Sequence, residues 1–187
     1  MECIPYTRLK NITKIAQGGF SNIYQATWLN SFKNDHITVA IKSFFNSQDF
    51  SKYLLNEIKS YHYCYKERSN ILQCYGVTKN PDTNEYMIVM QYAKENLHEY
   101  LQKHFANIEC LKTIHNVNFI HRDLHSGNIL LIDHECQIGD LGLSQPANNP
   151  LNNDIYGVVP YIAPEIFLDA SFSKASDIYK NATSRSL

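Results

Sequence analysis

The stretch His-Arg-Asp-Leu-His-Ser-Gly-Asn at residues 121–128, followed by Asp-Leu-Gly at 140–142, decides the fold of this chain. It places Asp123 five positions before Asn128, and a second carboxylate, Asp140, directly before Leu-Gly. Phosphoryl transfer needs one carboxylate to meet a hydroxyl nucleophile, and it needs hard oxygen ligands to hold Mg²⁺ beside a triphosphate. The pattern therefore predicts Asp123 as a catalytic residue and Asn128 and Asp140 as metal ligands.

Three further motifs flank this stretch. A glycine-containing segment, IAQGGFSNIY, occupies residues 15–24, VAIK follows at 39–42, and APE lies downstream at 163–165. The order and spacing of these five motifs resemble a eukaryotic-type protein kinase domain over residues 11–179. The sequence HSGNIL in the catalytic loop is similar to that of expanded fungal kinases of the tyrosine-kinase-like branch.

The resemblance implies an α+β, bilobal protein-kinase-like fold. The small lobe, an antiparallel sheet with one helix, would cover about residues 11–93. A partial helical large lobe would cover about residues 94–179, and residues 180–187 form a tail outside the family pattern.

The hydrophobic pattern predicts the elements of both lobes. Residues 11–45 alternate turn residues with β-branched and aromatic ones, which indicates three antiparallel strands. Leu54, Ile58 and Tyr61 share one helical face, which indicates a helix over residues 50–63. The other predicted elements are strands at 71–77, 85–92, 129–132 and 137–138, helices at 97–105 and 108–115, and a surface loop at 146–153.

The resemblance also implies ATP and Mg²⁺ as cofactors. Lys42 would bind the α- and β-phosphates and pair with Glu57 on the predicted helix, although a lone lysine on a strand is more often solvated. Lys42, Glu57 and Asp123 are the predicted catalytic residues. With Lys42, the predicted nucleotide-binding residues are Ala16, Gln17, Gly18, Gly19, Phe20, Ile23, Ala40, Met90, Gln91, Ala93 and Leu130.

The glycine-containing loop departs from the family pattern. Ala16, Gly18 and Ser21 stand where the family carries three glycines, which let backbone N–H groups approach phosphates. Taken alone, the loop would be interpreted as an ordinary hairpin turn. Phe20 at its tip and Ile23, which would cover the adenine, support the nucleotide-binding interpretation.

The hydroxyl specificity stays open between serine or threonine and tyrosine. Ser/Thr kinases carry Lys where this chain has His125, and they carry Thr where Val158 follows Gly157. The features of tyrosine kinases at the catalytic loop are missing too, and Pro160 stands where they carry Trp. The predicted function is transfer of the γ-phosphate of ATP to a protein hydroxyl. The alternative is a catalytically weak or inactive nucleotide-binding or scaffold pseudokinase, or an inert kinase fragment.

Two segments of the family pattern are short in this sequence. The resemblance implies a hinge between the lobes at residues 91–93. Only residues 94–120 separate this hinge from the catalytic loop, where the family places two helices, and the chain ends soon after the helix that begins near Asp177. We expect a truncated domain with slow transfer, poorly soluble alone or dependent on a partner. Ile166, Phe167 and Leu168 would lose the surfaces on which they normally pack.

The segment from Asp140 to Glu165 contains three possible phosphoacceptors, Ser144, Tyr156 and Tyr161. In the family, an Arg such as Arg122 pairs with a phosphorylated residue of this segment. The hypothesis is that Tyr156 is the regulatory site and that Tyr161 is structural.

Composition narrows the function classes. A net charge of −1 argues against a nucleic-acid partner, and no apolar run reaches the ~20 residues of a membrane span. The five cysteines include no C-x-x-C pair, which indicates reduced thiols and a cytoplasmic location. The expected partners are therefore ATP and a protein substrate, and the oligomeric state is not predicted.

A rival interpretation is a metal-binding site. His121, Asp123 and His125 alternate and could be ligands on one strand face. This interpretation leaves Lys42, Asn128 and Asp140 unexplained, so it carries little weight.

Overall fold

The computed structural model describes residues 2–18, 21–30, 35–44, 50–64, 70–96, 114–133, 135–148, 162–168 and 170–183. The chain divides into two compact units. Unit 1 contains Met1–Leu54 and Leu72–Ala93, and unit 2 contains Leu55–Ile71 and Lys94–Leu187.

Unit 1 contains a six-stranded sheet. Its strands are β1 (Glu2–Cys3), β2 (Leu9–Gln17), β3 (Ser21–Asn30), β4 (Asp35–Phe44), β5 (Cys74–Lys79) and β6 (Tyr86–Gln91), in the spatial order β1-β5-β6-β4-β3-β2. The three strands predicted in residues 11–45 are confirmed as β2, β3 and β4, which pair antiparallel. The strand predicted at 85–92 is confirmed as β6, whereas β5 begins three residues later than the prediction of 71–77.

The core of unit 1 covers one face of this sheet. Alternate residues of β3, β4 and β6 point to that face, since successive side chains of a strand alternate sides. The buried residues of the cluster are Ile4, Leu9, Ala26, Trp28, Val39, Ile41, Met87 and Val89. The segment before residue 11 belongs to this core, a contribution that the sequence did not predict.

The N-terminal strand β1 pairs parallel with β5, with Glu2 opposite Gly76. The backbones approach so closely that a Cβ on Gly76 would overlap the Glu2 carbonyl oxygen. The amide of Ile4 donates to the carbonyl of Val77 at 2.8 Å, and the Ile4 side chain is buried. Glycine at position 76 therefore allows the first residues to complete the sheet edge.

Helix α1 (Phe50–Cys64) confirms the helix predicted over 50–63. Its buried positions include Leu54, Glu57, Tyr61 and Cys64, spaced three or four residues apart as one helical face requires. Residues 55–64 belong to unit 2.

Unit 2 combines short strands with helix α2 (Lys174–Thr183). Strand β9 (Ile129–Ile132) pairs antiparallel with both β7 (Glu95–Asn96) and β10 (Glu135–Ile138), and β8 (Phe119–Ile120) pairs with β11 (Gln145–Pro146). The strand predicted at 129–132 is confirmed, and β10 contains the one predicted at 137–138. Helix α2 continues to Thr183, past the predicted family end at residue 179.

A second apolar cluster lies beneath the catalytic stretch of unit 2. It comprises Ile120, Ile162, Ala163, Ile166 and Phe172. The expectation that Ile166 loses its packing surface is wrong, because this cluster buries it, while Phe167 and Leu168 are exposed as expected.

Several predicted elements of unit 2 fall wholly or partly outside the described residues. The helix predicted at 97–105 lies outside them. Of the helix predicted at 108–115, only residues 114 and 115 are described, and they are helical together with residue 116. In the region predicted as a loop at 146–153, Pro146 belongs to β11 and residues 147–148 form a turn.

Candidate active site

One face of the unit 1 sheet gathers five of the predicted nucleotide-binding residues. Lys42 on β4 lies opposite Ile23 on β3, and Ile23 lies opposite Ala16 on β2. Ala40, two residues before Lys42, lies opposite Met90 on β6. Paired residues of an antiparallel ladder share a face, as do residues two apart on one strand. The five side chains therefore project from the face opposite the apolar cluster.

The remaining predicted residues of unit 1 that the structure describes lie at the ends of these strands. The amide of Gly18 donates to the carbonyl of Ser21 at 2.8 Å, which closes the β2–β3 turn. The amide of Gln91 donates to the carbonyl of Gln73 at 2.8 Å. Gln17 ends β2 and Ala93 follows β6, while Gly19 and Phe20 lie outside the described residues.

Lys42 itself is buried, with 5% of its surface exposed. Its Nζ atom lies 5.1 Å from the centroid of the Phe44 ring, within the range of a cation–π contact. The alternative interpretation of Lys42 as a solvated edge residue is therefore wrong. Lys42 belongs to unit 1 and Glu57 to unit 2, and the ion pair between them stays a prediction.

In unit 2, the catalytic stretch is held by Asp177 of α2. The Asp177 carboxylate is fully buried and accepts hydrogen bonds from the backbone amides of His121 at 2.8 Å and Arg122 at 3.0 Å. The same carboxylate lies 3.1 Å from Nε2 of His115. Arg122 has a positive φ of 69°, a conformation that non-glycine residues adopt at a cost. The two bonds to one carboxylate stabilise that backbone.

Side chains of the stretch 121–128 form further hydrogen bonds that hold its backbone. Nδ1 of His121 accepts from the amide of Asp123 at 3.3 Å, so Nε2 carries the proton and donates to the carbonyl of Gly139 at 3.0 Å. Nδ2 of Asn128 donates to the carbonyl of Asp123 at 2.9 Å. The amide of Gly139 donates to the carbonyl of Asn128 at 2.9 Å. These bonds bring Asp123, Asn128 and the residue before Asp140 into one connected segment.

The geometry does not favour the metallic interpretation of His121, Asp123 and His125. Both histidine rings take part in local hydrogen bonds, since Nδ1 of His125 accepts from the amide of Gly127 at 3.1 Å. Within the described ranges, no group of three or more His, Cys, Asp or Glu side chains is placed to hold a metal ion.

Gly142 lies against two carboxylates. A Cβ on Gly142 would lie 3.2 Å from Oε2 of Glu57 and 3.4 Å from Oδ1 of Asp140. Glu57 is fully buried, and Asp140 has a left-handed backbone with φ 51° and ψ 62°. The absence of a side chain at position 142 therefore lets the predicted catalytic Glu57 and the predicted metal ligand Asp140 come near the same point.

Two polar residues of α1 hold this segment, and sequence reasoning missed both. Nδ2 of Asn56 donates to the carbonyls of Gly142 at 2.6 Å and Ser144 at 3.2 Å, and Oγ of Ser60 donates to the Ser144 carbonyl at 3.5 Å. The position of Asn56 directly before Glu57 was the available signal. Ser144 is almost fully buried, so it is a poor phosphoacceptor in this conformation.

Arg122 is buried, with 4% of its surface exposed. Its guanidinium lies 4.6 Å from the centroid of the Phe172 ring, and Nη1 donates to Oε1 of Gln145 at 3.2 Å. Tyr156 and Tyr161 lie outside the described residues, so the regulatory role of Tyr156 stays a prediction.

Unit 2 also contains Leu130 and Cys64. Leu130, predicted as the floor of the adenine site, lies half-buried on β9 opposite Gln137 and Asn96. Burial raises the pKa of the Cys64 thiol to about 12, which keeps this cysteine unreactive as a nucleophile.

Three features together are typical of the protein kinase class. They are a buried lysine on a sheet, an Asp-Asn segment held by hydrogen bonds, and an Asp-Leu-Gly turn. The chain matches the family described as protein tyrosine and serine/threonine kinase over residues 9–183, and it belongs to that family. The α+β, kinase-like fold expected from the sequence is thereby confirmed.

Curated relatives carry both kinds of kinase name. The chain is similar to a probable serine/threonine-protein kinase of Dictyostelium discoideum (30% identity, covering 94% of this chain and 17% of the relative). It is also similar to the tyrosine-protein kinase JAK1 of Danio rerio (28%, 91% and 17%) and to the inactive tyrosine-protein kinase kin-32 of Caenorhabditis elegans (28%, 88% and 21%). The tyrosine-kinase-like branch stays a prediction.

The chain spans about a fifth or less of the length of these three relatives. In the part of the chain that the structure describes, no helix combines the length and apolar character that crossing a membrane requires.

Proposed function

We propose that this chain binds Mg-ATP and transfers the γ-phosphate to a hydroxyl group of a protein substrate. The proposal is supported by the hydrogen bonds that hold the predicted catalytic loop of unit 2. Asn128 donates to the carbonyl of Asp123, and Asp177 accepts from the two backbone amides that precede Asp123. Transfer depends almost wholly on positioning and electrostatics, and a segment fixed by buried bonds meets that demand.

The donor set fits Mg²⁺ and a triphosphate. Nδ2 of Asn128 is used in its bond to Asp123, which leaves the amide oxygen as the ligand atom, and Asp140 supplies a carboxylate. Mg²⁺ prefers hard oxygen ligands and, when bound, neutralises negative charge on the phosphates. Lys42 would bind the α- and β-phosphates. Asp123 would orient the substrate hydroxyl and accept its proton as the oxygen attacks.

Nucleotide binding is the first test of this proposal. Titration calorimetry of Mg-ATP with Lys42→Met should show an affinity lower by about tenfold or more, because a buried cation that faces phosphates is lost. Lys10→Met is the matched control, since Lys10 is an exposed residue of β2. Equal affinities in the wild-type chain and Lys42→Met would contradict the assigned role.

A second candidate function is a nucleotide-binding scaffold without transfer. Ala16 and Ser21 replace two of the three loop glycines, and one relative is named inactive. Tight Mg-ATP binding with no transfer to any protein in a mixed substrate set would favour this candidate.

The proposal includes a cytoplasmic location. Cys3 and Cys64 are free thiols, as expected in a reducing compartment.

A further inference from the structure

Unit 1 contains a cavity of about 120 Å³ on the sheet face opposite Lys42. Its floor is apolar and includes Ile41, Met87 and Tyr24. Ile41 immediately precedes Lys42 on β4, so the two side chains point to opposite faces of the sheet. The cavity is therefore separate from the proposed nucleotide site, and none of its lining residues belongs to the predicted site.

The rim of the cavity is polar and carries negative charge. Glu85 lines it, and Oε2 of Glu85 accepts a hydrogen bond from Oγ1 of Thr83 at 3.1 Å. Among the lining residues that the structure describes, none is Lys or Arg. A carboxylate above an apolar and aromatic floor, with no lining cation to pair it, favours a cationic ligand with a small apolar body.

The rim is also preorganised by backbone bonds. The amide of Asn80 donates to the carbonyl of Glu85 at 2.9 Å, the amide of Asn84 donates to the carbonyl of Asn80 at 2.9 Å, and Oδ1 of Asn80 accepts from the amide of Asp82 at 2.9 Å. The β5–β6 turn that presents Glu85 is thus fixed without a ligand, which reduces the entropy lost on binding.

The N-terminal segment also contributes to the lining of the cavity. Tyr6 lines the cavity two residues after the buried Ile4. Burial, aided by the negative charge of Asp82 and by Tyr24, raises the pKa of the Tyr6 phenol above its ordinary value. The phenol is neutral at physiological pH, and its oxygen can accept a hydrogen bond from an ammonium group.

From this geometry we infer that the cavity is a binding site for a primary ammonium group on a compact apolar body, the chemistry of a small amine or of a lysine side chain. A benzene ring fills an apolar cavity of ~150 Å³, and this cavity of about 120 Å³ is open to solvent, so a monocyclic amine can place part of its ring inside and its ammonium group at the rim. Its ammonium group would meet the Glu85 carboxylate at the rim, and its ring would contact Tyr24 and Met87.

The test uses the full chain with ¹³C-methyl-labelled methionine. Met87 lines the cavity, whereas Met90 lies on the other face of β6 and is an internal control. Benzylamine should shift the Met87 methyl signal in a saturable manner and leave that of Met90 unchanged. Benzyl alcohol should bind about fivefold or more weakly, and benzoate should not bind, because Glu85 would repel it.

Two variants sharpen the test. Glu85→Gln should reduce the affinity for benzylamine by about fivefold, whereas Glu135→Gln, an exposed carboxylate of unit 2, should leave it unchanged. Nα-acetyl-lysine methylamide is a second probe, and the tighter of the two amines identifies the source of the ligand. The inference fails if neither amine shifts Met87, if benzoate binds as well as benzylamine, or if Glu85→Gln binds benzylamine as the wild-type chain does. The charge series on the wild-type chain decides the matter even if Glu85→Gln does not fold.

Discussion

The sheet of unit 1 and the predicted catalytic segment of unit 2 (residues 121–128 and 139–144) position their side chains in different ways. In the sheet, backbone ladders set the place of Ala40 and Lys42, and the side chains follow from strand alternation. In the segment, individual polar side chains hold an irregular backbone, with Asp177 and Asn56 bonded to residues far away in sequence. A ladder tolerates the loss of any one side chain better than a network with few members does.

This difference predicts where each unit is vulnerable. The sheet should be sensitive where two backbones meet, and the catalytic segment where a buried polar side chain is removed.

Asp177→Ala should lower the free energy of unfolding by about 3 kcal/mol, because it leaves two buried amides without their acceptor. Urea unfolding measures this loss. Asp177→Asn keeps one acceptor oxygen and should lose less. Asp35→Ala, at an exposed carboxylate of β4, is the control and should change stability by less than about 0.5 kcal/mol. A wild-type midpoint for Asp177→Ala would show that the segment does not depend on this side chain.

Gly76→Ala should lower the free energy of unfolding by about 2 kcal/mol, since the new methyl group cannot share space with the Glu2 carbonyl oxygen and Ile4 must leave the core. Hydrogen exchange should show lost protection at the Ile4 amide. Gly18→Ala is the matched control, because its nearest neighbour would be 3.8 Å away. An Ile4 amide that stays protected in Gly76→Ala would rule out the backbone contact as the sensitive point of the sheet.

Asn56→Ala should cost about 1 kcal/mol, the net value of a hydrogen bond to buried carbonyls. Asn116→Ala, at an exposed asparagine, should be close to neutral. The measurement is thermal unfolding of the two variants side by side. Equal melting temperatures would mean that Asn56 does not hold the segment in solution.

The same contrast explains what could be predicted from the sequence. Alternation and helical spacing depend on near neighbours, so β2 to β4, β6 and α1 were foreseen, and the motif order indicated the kinase family. The sequence did not predict the pairing of β1 with β5, because a strand of two residues is too short to show a hydrophobic alternation. The bonds of Asn56 to Gly142 and of Asp177 to His121 were missed because they join residues 86 and 56 positions apart. No local pattern encodes such contacts.

The most direct test of the proposed activity is transfer of labelled γ-phosphate to a mixed set of proteins, with Asp123→Asn beside the wild-type chain. We expect transfer by the wild-type chain and a loss of about 100-fold or more in the variant, with unchanged Mg-ATP affinity, because only the proposed proton acceptor is altered. Asp133→Asn, at an exposed aspartate, should transfer at the wild-type rate. Transfer by Asp123→Asn at the wild-type rate, or Mg-ATP binding by the wild-type chain without any transfer, would contradict the proposed function.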